Sequence, residues 1–300
     1  ILKAVASGSY GALFLDPIAN SVRDEPDPGA VAREDFPVAD LRAILEQLTQ
    51  RRFDRPFFLA LDTSLFGAGF EAGRLLKGLS LPPNLHLIAY TSLQKLHQDG
   101  LEFTTGGAVT ILSRDREEHE RLIESLRGLR VLLGSRPGLL NYLHLNDVLH
   151  SPWSAARTER IMANAEELAL FIESELARLR LPGQVFHPAL SSSPDHAVWL
   201  KNGRPGLPFV ALRLLGVPHF IDQAAALGDE LAALGLPLHM RDSYGFNDMS
   251  YTVYNGKNPT LRLSLAPFGK EEMAKIKWAV SNTLEAIAAR SPSSATTVWR

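Results

Sequence analysis

Cysteine is absent from the 300 residues, which removes disulfides, thiolate metal sites and cysteine nucleophiles together. The same absence agrees with a cytoplasmic setting. No apolar run approaches the roughly 18 residues that a bilayer span needs, so no membrane partner is expected. No basic-then-apolar signal segment opens the chain. Charge of neither sign dominates: 31 basic residues stand against 33 acidic ones, without a lysine- or arginine-rich tract. Nucleic acid is therefore not an expected partner. The nine histidines form no H-E-x-x-H pattern, and the spacing of His144 and His150 would not place them on one helix face, so no metal is expected. A G-x-S-x-G elbow and a P-loop are also missing. "GAGFEA" at 67–72 has the glycine spacing of a dinucleotide fingerprint, but residues 80–98 hold no acid to bind a ribose. It reads as a strand-to-helix turn.

What is present suits a soluble globular protein. Apolar residues make up 45% and charged residues 21%, enough for a substantial core in a chain of this length. The opening "ILKAVASG" lacks an initiator methionine and is already apolar, as expected of a piece of a longer polypeptide. The runs at 11–18, 56–64, 84–92 and 106–113 read as buried strands. Residues 38–51 carry apolar positions at helical spacing, and 71–79 suggest a shorter helix. Strand and helix in alternation predict an α/β sheet with helices on its faces. From about 115 to 180 the pattern is helical, with one long helix over 151–179 entered at Ser-Pro. Strands are then expected in "DHAVWLKNG", "PFVALRLLG", "LPLHMRDS" and "TLRLSLAP", with helices near 219–234 and 270–289. The acidic, proline-rich stretch 21–37 reads as an exposed loop and the last residues as a loose tail.

In open α/β sheets, ligands bind beyond the carboxyl ends of the strands. Asp16, Asp62 and the segment Thr91–Lys95 are expected at such ends. A carboxylate at one strand end and a lysine about thirty residues later suit an enzyme of pyridoxal 5'-phosphate (PLP), which needs an acid for its ring nitrogen and an amine for its aldehyde. Singly, each residue has an ordinary alternative. Lys95 could be a solvated surface charge, Asp62 a helix cap, Asn20 a turn residue and Arg262 a partner in a structural ion pair.

Collinear motifs add to this reading. "DPIANS" (16–21) looks like a form of E-x-P-x-N-P, with Asp16 standing for the glutamate and Asn20 kept. "LDTS" (61–64) looks like V-D-N-T and "SLQK" (92–95) like S-x-T-K, with Gln94 where a threonine is usual. "ARTERIMANAEELA" (156–169), "VFHPALSSSPDH" (185–196), "RDSYG" (241–245) and "LRLSLAP" (261–267) follow in order. By these segments the chain resembles the Cys/Met-metabolism family of PLP-dependent enzymes, the group of cystathionine γ-synthase, cystathionine γ-lyase and methionine γ-lyase.

The resemblance implies a fold-type I α/β architecture. Residues 1–150 would be the C-terminal portion of the large PLP-binding domain, 151–180 a linking helix, and 181–300 a small C-terminal domain. It implies that Lys95 tethers PLP and moves protons, that Asp62 pairs with the ring nitrogen, and that Asn20 bonds the phenolic oxygen. Ser92 and Gln94 would meet the phosphate, while Arg262 and Ser243 would take the substrate carboxylate. The family's phosphate loop and ring-stacking tyrosine would lie upstream of "DPIANS", outside this chain. The implied function is β/γ-elimination or γ-replacement on an amino-acid substrate by a homodimer or tetramer. An aminotransferase is one alternative, and a degenerate, non-catalytic scaffold is another.

Overall fold

The computed structural model describes residues 10–18, 38–67, 70, 72–98, 106–133, 138–149, 152–202, 204, 206–215, 220–241, 243–254 and 260–290. The stretch 21–37 and the C-terminal residues after 290 lie outside them. The chain divides into two compact units. The first holds 1–20, 37–158 and 195–206; the second holds 21–36, 159–194 and 207–300.

In the first unit, four strands form a sheet in the order β1-β2-β3-β4: Ala12–Leu15, Phe57–Asp62, Leu85–Ser92 and Gly107–Ser113. The first three run parallel, and β4 returns antiparallel to β3. Leu15 pairs with Leu61 and Asp62 with Tyr90, so the carboxyl ends of β1, β2 and β3 line up. Helix α1 (Leu41–Thr49) buries Leu41, Ile44, Leu45 and Leu48, one stripe of a 3.6-residue period. That stripe packs on Phe57, Leu59, Leu61, Leu85 and Leu87, alternate residues of β2 and β3 and hence one sheet face. Asp40 caps the helix by accepting the Ala43 amide at 2.8 Å. The residues between these, including Asp62, Tyr90 and Ser92, project to the opposite face. β4 is exposed or half-buried except at Ile111, because it closes the edge of the sheet.

The short helix α2 (Ala72–Leu75) precedes β3, and the helical region follows β4. It comprises α3 (Arg116–Leu132), α4 (Leu139–Leu149) and α5 (Pro152–Leu179). Helix α3 is capped by Asp115, which accepts the Glu118 amide at 3.0 Å, and buries none of its residues. Leu129, Leu132, Leu139, Leu140, Tyr142 and Leu143 on α3 and α4 are exposed. Helix α5 starts in the first unit and continues through the second.

The second unit is built on a sheet of order β5-β6-β9-β8-β7, from Gly183–Phe186, Phe209–Leu214, Thr260–Ser264, Met249–Tyr254 and Leu238–Met240. One face carries Val210, Leu212, Leu261 and Leu263. It packs on α5, on α7 (Phe220–Ala233) and on α8 (Lys270–Arg290). The other face is polar and aromatic. There Ala211 pairs with Arg262, and Arg262 with Thr252.

One strand expectation is overturned. "DHAVWLKNG" forms helix α6 (His196–Lys201), not a strand. Tertiary anchors decide its state over local propensity. The Val38 amide donates to Asp195 Oδ2 at 3.2 Å, Lys201 Nζ to Asp40 Oδ2 at 2.8 Å, and Asn202 Nδ2 to the Ala39 carbonyl at 2.7 Å. Two strands, β5 and β8, have no counterpart in the sequence reading.

His187, just past β5, is buried, and its Nδ1 accepts the Ala189 amide at 3.2 Å. Burial pushes its pKa down to about 4 from 6.5. As pH falls through that window the unfolded chain takes up a proton that the folded chain refuses, so stability is lost on acidification. The expected loss between pH 7 and pH 4 from this group is about 3 kcal/mol. Denaturant titrations at the two pH values check it. His187→Asn keeps an acceptor for the Ala189 amide and should flatten the pH dependence by a similar amount.

Candidate functional site

The carboxyl edge of the first sheet gathers the acidic and hydroxyl groups expected there. Asp16 follows the last residue of β1, Asp62 ends β2, and Ser92 ends β3. The turn after β2 is tightly specified. The Ser64 amide donates to Asp62 Oδ1 at 2.9 Å and so orients the carboxylate. Ser64 Oγ in turn accepts the Ser92 amide at 2.8 Å, and the Thr63 amide donates to the Tyr90 carbonyl at 2.8 Å. "LDTS" thus stitches β2 to β3 where the lysine segment begins.

The field at this edge is negative. Burial, then the neighbouring Asp62, raise the pKa of Asp16. Burial, then Asp62 and Asp16, raise that of Tyr90. Two carboxylates and a phenol on one face favour a positive charge above them. Lys95 lies three residues beyond Ser92 and is half-buried, as is Gln94. Leu93, Leu96, His97 and Gln98 are buried around them, so the lysine turn is anchored by side chains on both sides of Lys95.

Gly67 helps fix that turn. Its φ of +51° is a left-handed value, and a Cβ there would stand 3.0 Å from Leu96 Cβ and 3.2 Å from Thr158 Cγ2. The first glycine of "GAGFEA" therefore allows the chain after β2 to pass close against Leu96, next to Lys95. Gly67→Ala should cost about 1–3 kcal/mol, from backbone strain and overpacking, measured by denaturant unfolding.

Asn20 lies outside the described residues. Arg262 and Ser243 belong to the second unit. Arg262 is 3% exposed; its guanidinium lies 5.0 Å from the Phe209 ring centre and 5.5 Å from that of Tyr254. Its Nη2 donates to Thr252 Oγ1 at 3.1 Å, and Thr252 Oγ1 donates onward to the Arg241 carbonyl at 2.6 Å. Ser243 is half-buried, and its carbonyl accepts Ser250 Oγ at 3.3 Å. A second buried arginine, Arg213, shares the face of Arg262. It lies 5.1 Å from the Phe186 ring centre and donates from Nε to Thr260 Oγ1 at 3.1 Å. Sequence reasoning missed Arg213 and Tyr90. Tyr90 carried a usable signal, its place two residues before Ser92 on the same strand face; Arg213, inside an apolar run, carried none. Among the described residues, no group of three or more histidines, aspartates or glutamates could hold a metal ion. No helix among them is long and apolar enough to cross a membrane.

No protein-family model matches the chain, and no curated protein matches it in sequence. Solved structures do match in shape. One is the apo form of CalE6, a methionine gamma lyase from Micromonospora echinospora, at TM-score 0.63 and 18% identity, over 94% of this chain and 66% of that one. Another is a cystathionine gamma synthase from Xanthomonas oryzae pv. oryzae in complex with cystathionine, at TM-score 0.65 and 18% identity, over 95% and 66%. MetB from Corynebacterium glutamicum matches at TM-score 0.63 and 16% identity, with the same coverage. The chain thus spans about two thirds of the length of each, and across nearly all of its own length it has their fold, the fold-type I α/β architecture expected from its motifs.

Proposed function

We propose that this chain belongs to a cytoplasmic PLP-dependent enzyme that removes the Cα proton of an amino acid and then eliminates or replaces a group at Cβ or Cγ, as in sulfur amino-acid metabolism. The observation that carries the reading is the carboxyl edge of the first sheet. There Asp62 is oriented by the Ser64 amide beside a second carboxylate, and the same turn leads, through Ser64 and Ser92, into the segment bearing Lys95. The fold shared with a methionine gamma lyase and a cystathionine gamma synthase supports it.

The residues fit the group. Burial first, and then the Asp62 carboxylate, raise the pKa values of Asp16 and Tyr90, and a protonated pyridine ring would balance that carboxylate. Asp62 would hold that ring nitrogen in its protonated state. Ser92 and Gln94 would donate to the phosphate, and Asn20 to the phenolic oxygen. Lys95 would tether the cofactor through its amine and, once released by substrate, take the Cα proton and return it at a later atom. Arg262 would bind the substrate carboxylate through its planar fork, with Ser243 beside it. When bound, PLP supplies an electron sink for the pair left behind by the Cα proton. The exposed leucines of α3 and α4 suit burial in a homodimer or tetramer.

Product analysis tests the reading. The full-length protein, supplied with PLP, would be offered cystathionine, methionine, homoserine esters and S-adenosylmethionine. Elimination should release a keto acid with ammonia, together with a sulfur compound from cystathionine, methionine or S-adenosylmethionine and a carboxylic acid from a homoserine ester. Replacement should instead join an added thiol to the homoserine ester as its acid leaves. A keto acid formed with conversion of the cofactor to its amine form would instead mark an aminotransferase. Absence of any product and of any lysine-bound cofactor would mark a non-catalytic scaffold.

A further inference from the structure

The amino ends of the same strands hold a second, differently charged concavity. The loop from α1 to β2, with the start of β1, encloses a cleft of about 700 Å³ lined by Arg51, Arg52, Arg55, Asp54, Phe53 and Tyr10. That size suits a small-molecule ligand. Three arginines in five residues are too short a run to register as a basic tract in the sequence; the fold makes them converge.

The loop that carries them is anchored. The Arg51 amide donates to the Leu48 carbonyl at 3.1 Å, Asn84 Nδ2 to the Phe53 carbonyl at 2.6 Å, and the Phe57 amide to the Asn84 carbonyl at 2.8 Å. Phe53 packs on Phe57 with ring centres 5.0 Å apart. Among the described residues, Arg51, Arg52 and Arg55 make no side-chain hydrogen bond or ion pair, and neither does Asp54. Elsewhere on this chain exposed arginines do find carboxylates, as Arg116 does with Glu120 and Arg178 with Glu285. Three guanidinium groups against one carboxylate leave the cleft with an excess of two positive charges. Tyr10, 63% exposed at the rim, offers an open aromatic face.

We propose that this cleft binds a small polyphosphorylated ligand with an aromatic ring, of the nucleotide class. The arginine forks would take the phosphates in paired hydrogen bonds, and Tyr10 would stack on the ring. The cleft is distinct from the carboxyl-edge site. β2 starts at the cleft and ends at Asp62, which separates the two by about 17–20 Å for a strand of this length.

Isothermal titration of the full chain with ATP, AMP and pyrophosphate tests the proposal independently of any activity. ATP should bind more tightly than AMP, and affinity should fall with added salt. Arg51→Gln/Arg52→Gln/Arg55→Gln should weaken ATP at least about tenfold. The single charge reversal Arg55→Glu should weaken it in the same direction, should the triple variant fold poorly. Tyr10→Ala should bring ATP close to pyrophosphate. A control that neutralises Arg74, Arg116 and Arg127 should leave ATP affinity unchanged, as should Lys95→Ala, which reports on the opposite end of the sheet. No heat from millimolar ATP, unchanged affinity in both cleft variants, or an equal loss in the arginine control or in Lys95→Ala would overturn it.

Discussion

Lys95→Ala is expected to abolish the covalent attachment of PLP and to reduce turnover by about 10²–10⁴-fold or more, since proton transfer by a positioned group alone contributes that much. The measurement is direct. The full-length protein is loaded with PLP, reduced with borohydride and digested, and the pyridoxyl mass should map to the peptide containing Lys95. Lys95→Arg keeps the positive charge but cannot form the link, so it should fail in the same way. A merely structural lysine would behave differently: the arginine variant would retain the adduct elsewhere, and thermal stability would move instead. Lys95 is half-buried and flanked by the buried Leu93 and Leu96, so both variants should fold. An adduct on another lysine would remove Lys95 from the proposed mechanism.

How far the sequence reaches depends on whether local pattern or distant contacts decide a segment. "FFLALD" and "LHLIAYTS" are short apolar runs bounded by turn signals, which favours buried strands over helices, and they form β2 and β3. Helix α1 shows in its leucine spacing because one face alone is buried. "HAVWLK" has the short apolar run of a strand, yet its state is set by Asp195, Lys201 and Asn202 binding residues 38–40, more than 150 positions earlier. No window of sequence contains that information. The strand "MSYTVY" is half polar because Ser250 and Thr252 belong to the arginine-bearing face of the second sheet. Such a pattern reads as a loop until the buried arginine it serves is known.

The site divides along the same line. Asp62 and Lys95 are legible as strand-end residues in motif order. The meaning of "LDTS" is not, because its serine acts on residues across the strand pair: one hydroxyl accepts the Ser92 amide while its own amide steers Asp62. Gly67 is similar. Its motif has the glycine spacing of a dinucleotide fingerprint and reads as a strand-to-helix turn, but the contact that requires the glycine is Leu96, almost thirty positions on. The arginine cleft was invisible for want of a run long enough to stand out.

Asp62→Asn is the second change with a large expected effect, and it separates charge from shape. The amide is nearly isosteric and can still accept the Ser64 amide through its oxygen, so the turn after β2 should persist. What it cannot do is balance a ring cation. A hydrogen bond to a charged group is worth about 1.5–3 kcal/mol, so PLP affinity should fall by about 10–150-fold. Turnover at saturating cofactor should fall further, by about 10²–10³-fold, the usual cost of removing a preorganised charge from the reacting group. The apo protein supplies a readout free of cofactor. Repulsion from Asp62 contributes, after burial, to the raised pKa values of Asp16 and Tyr90. Neutralising Asp62 should therefore lower both toward their ordinary ranges without restoring them fully. The phenolate absorbance titration of Tyr90, isolated by subtracting the Tyr90→Phe variant, should shift to lower pH in Asp62→Asn. No shift there would mean that the three groups do not share one face of the sheet as the register of β1, β2 and β3 places them. A shift with unchanged PLP affinity would keep the geometry and remove Asp62 from the ring nitrogen.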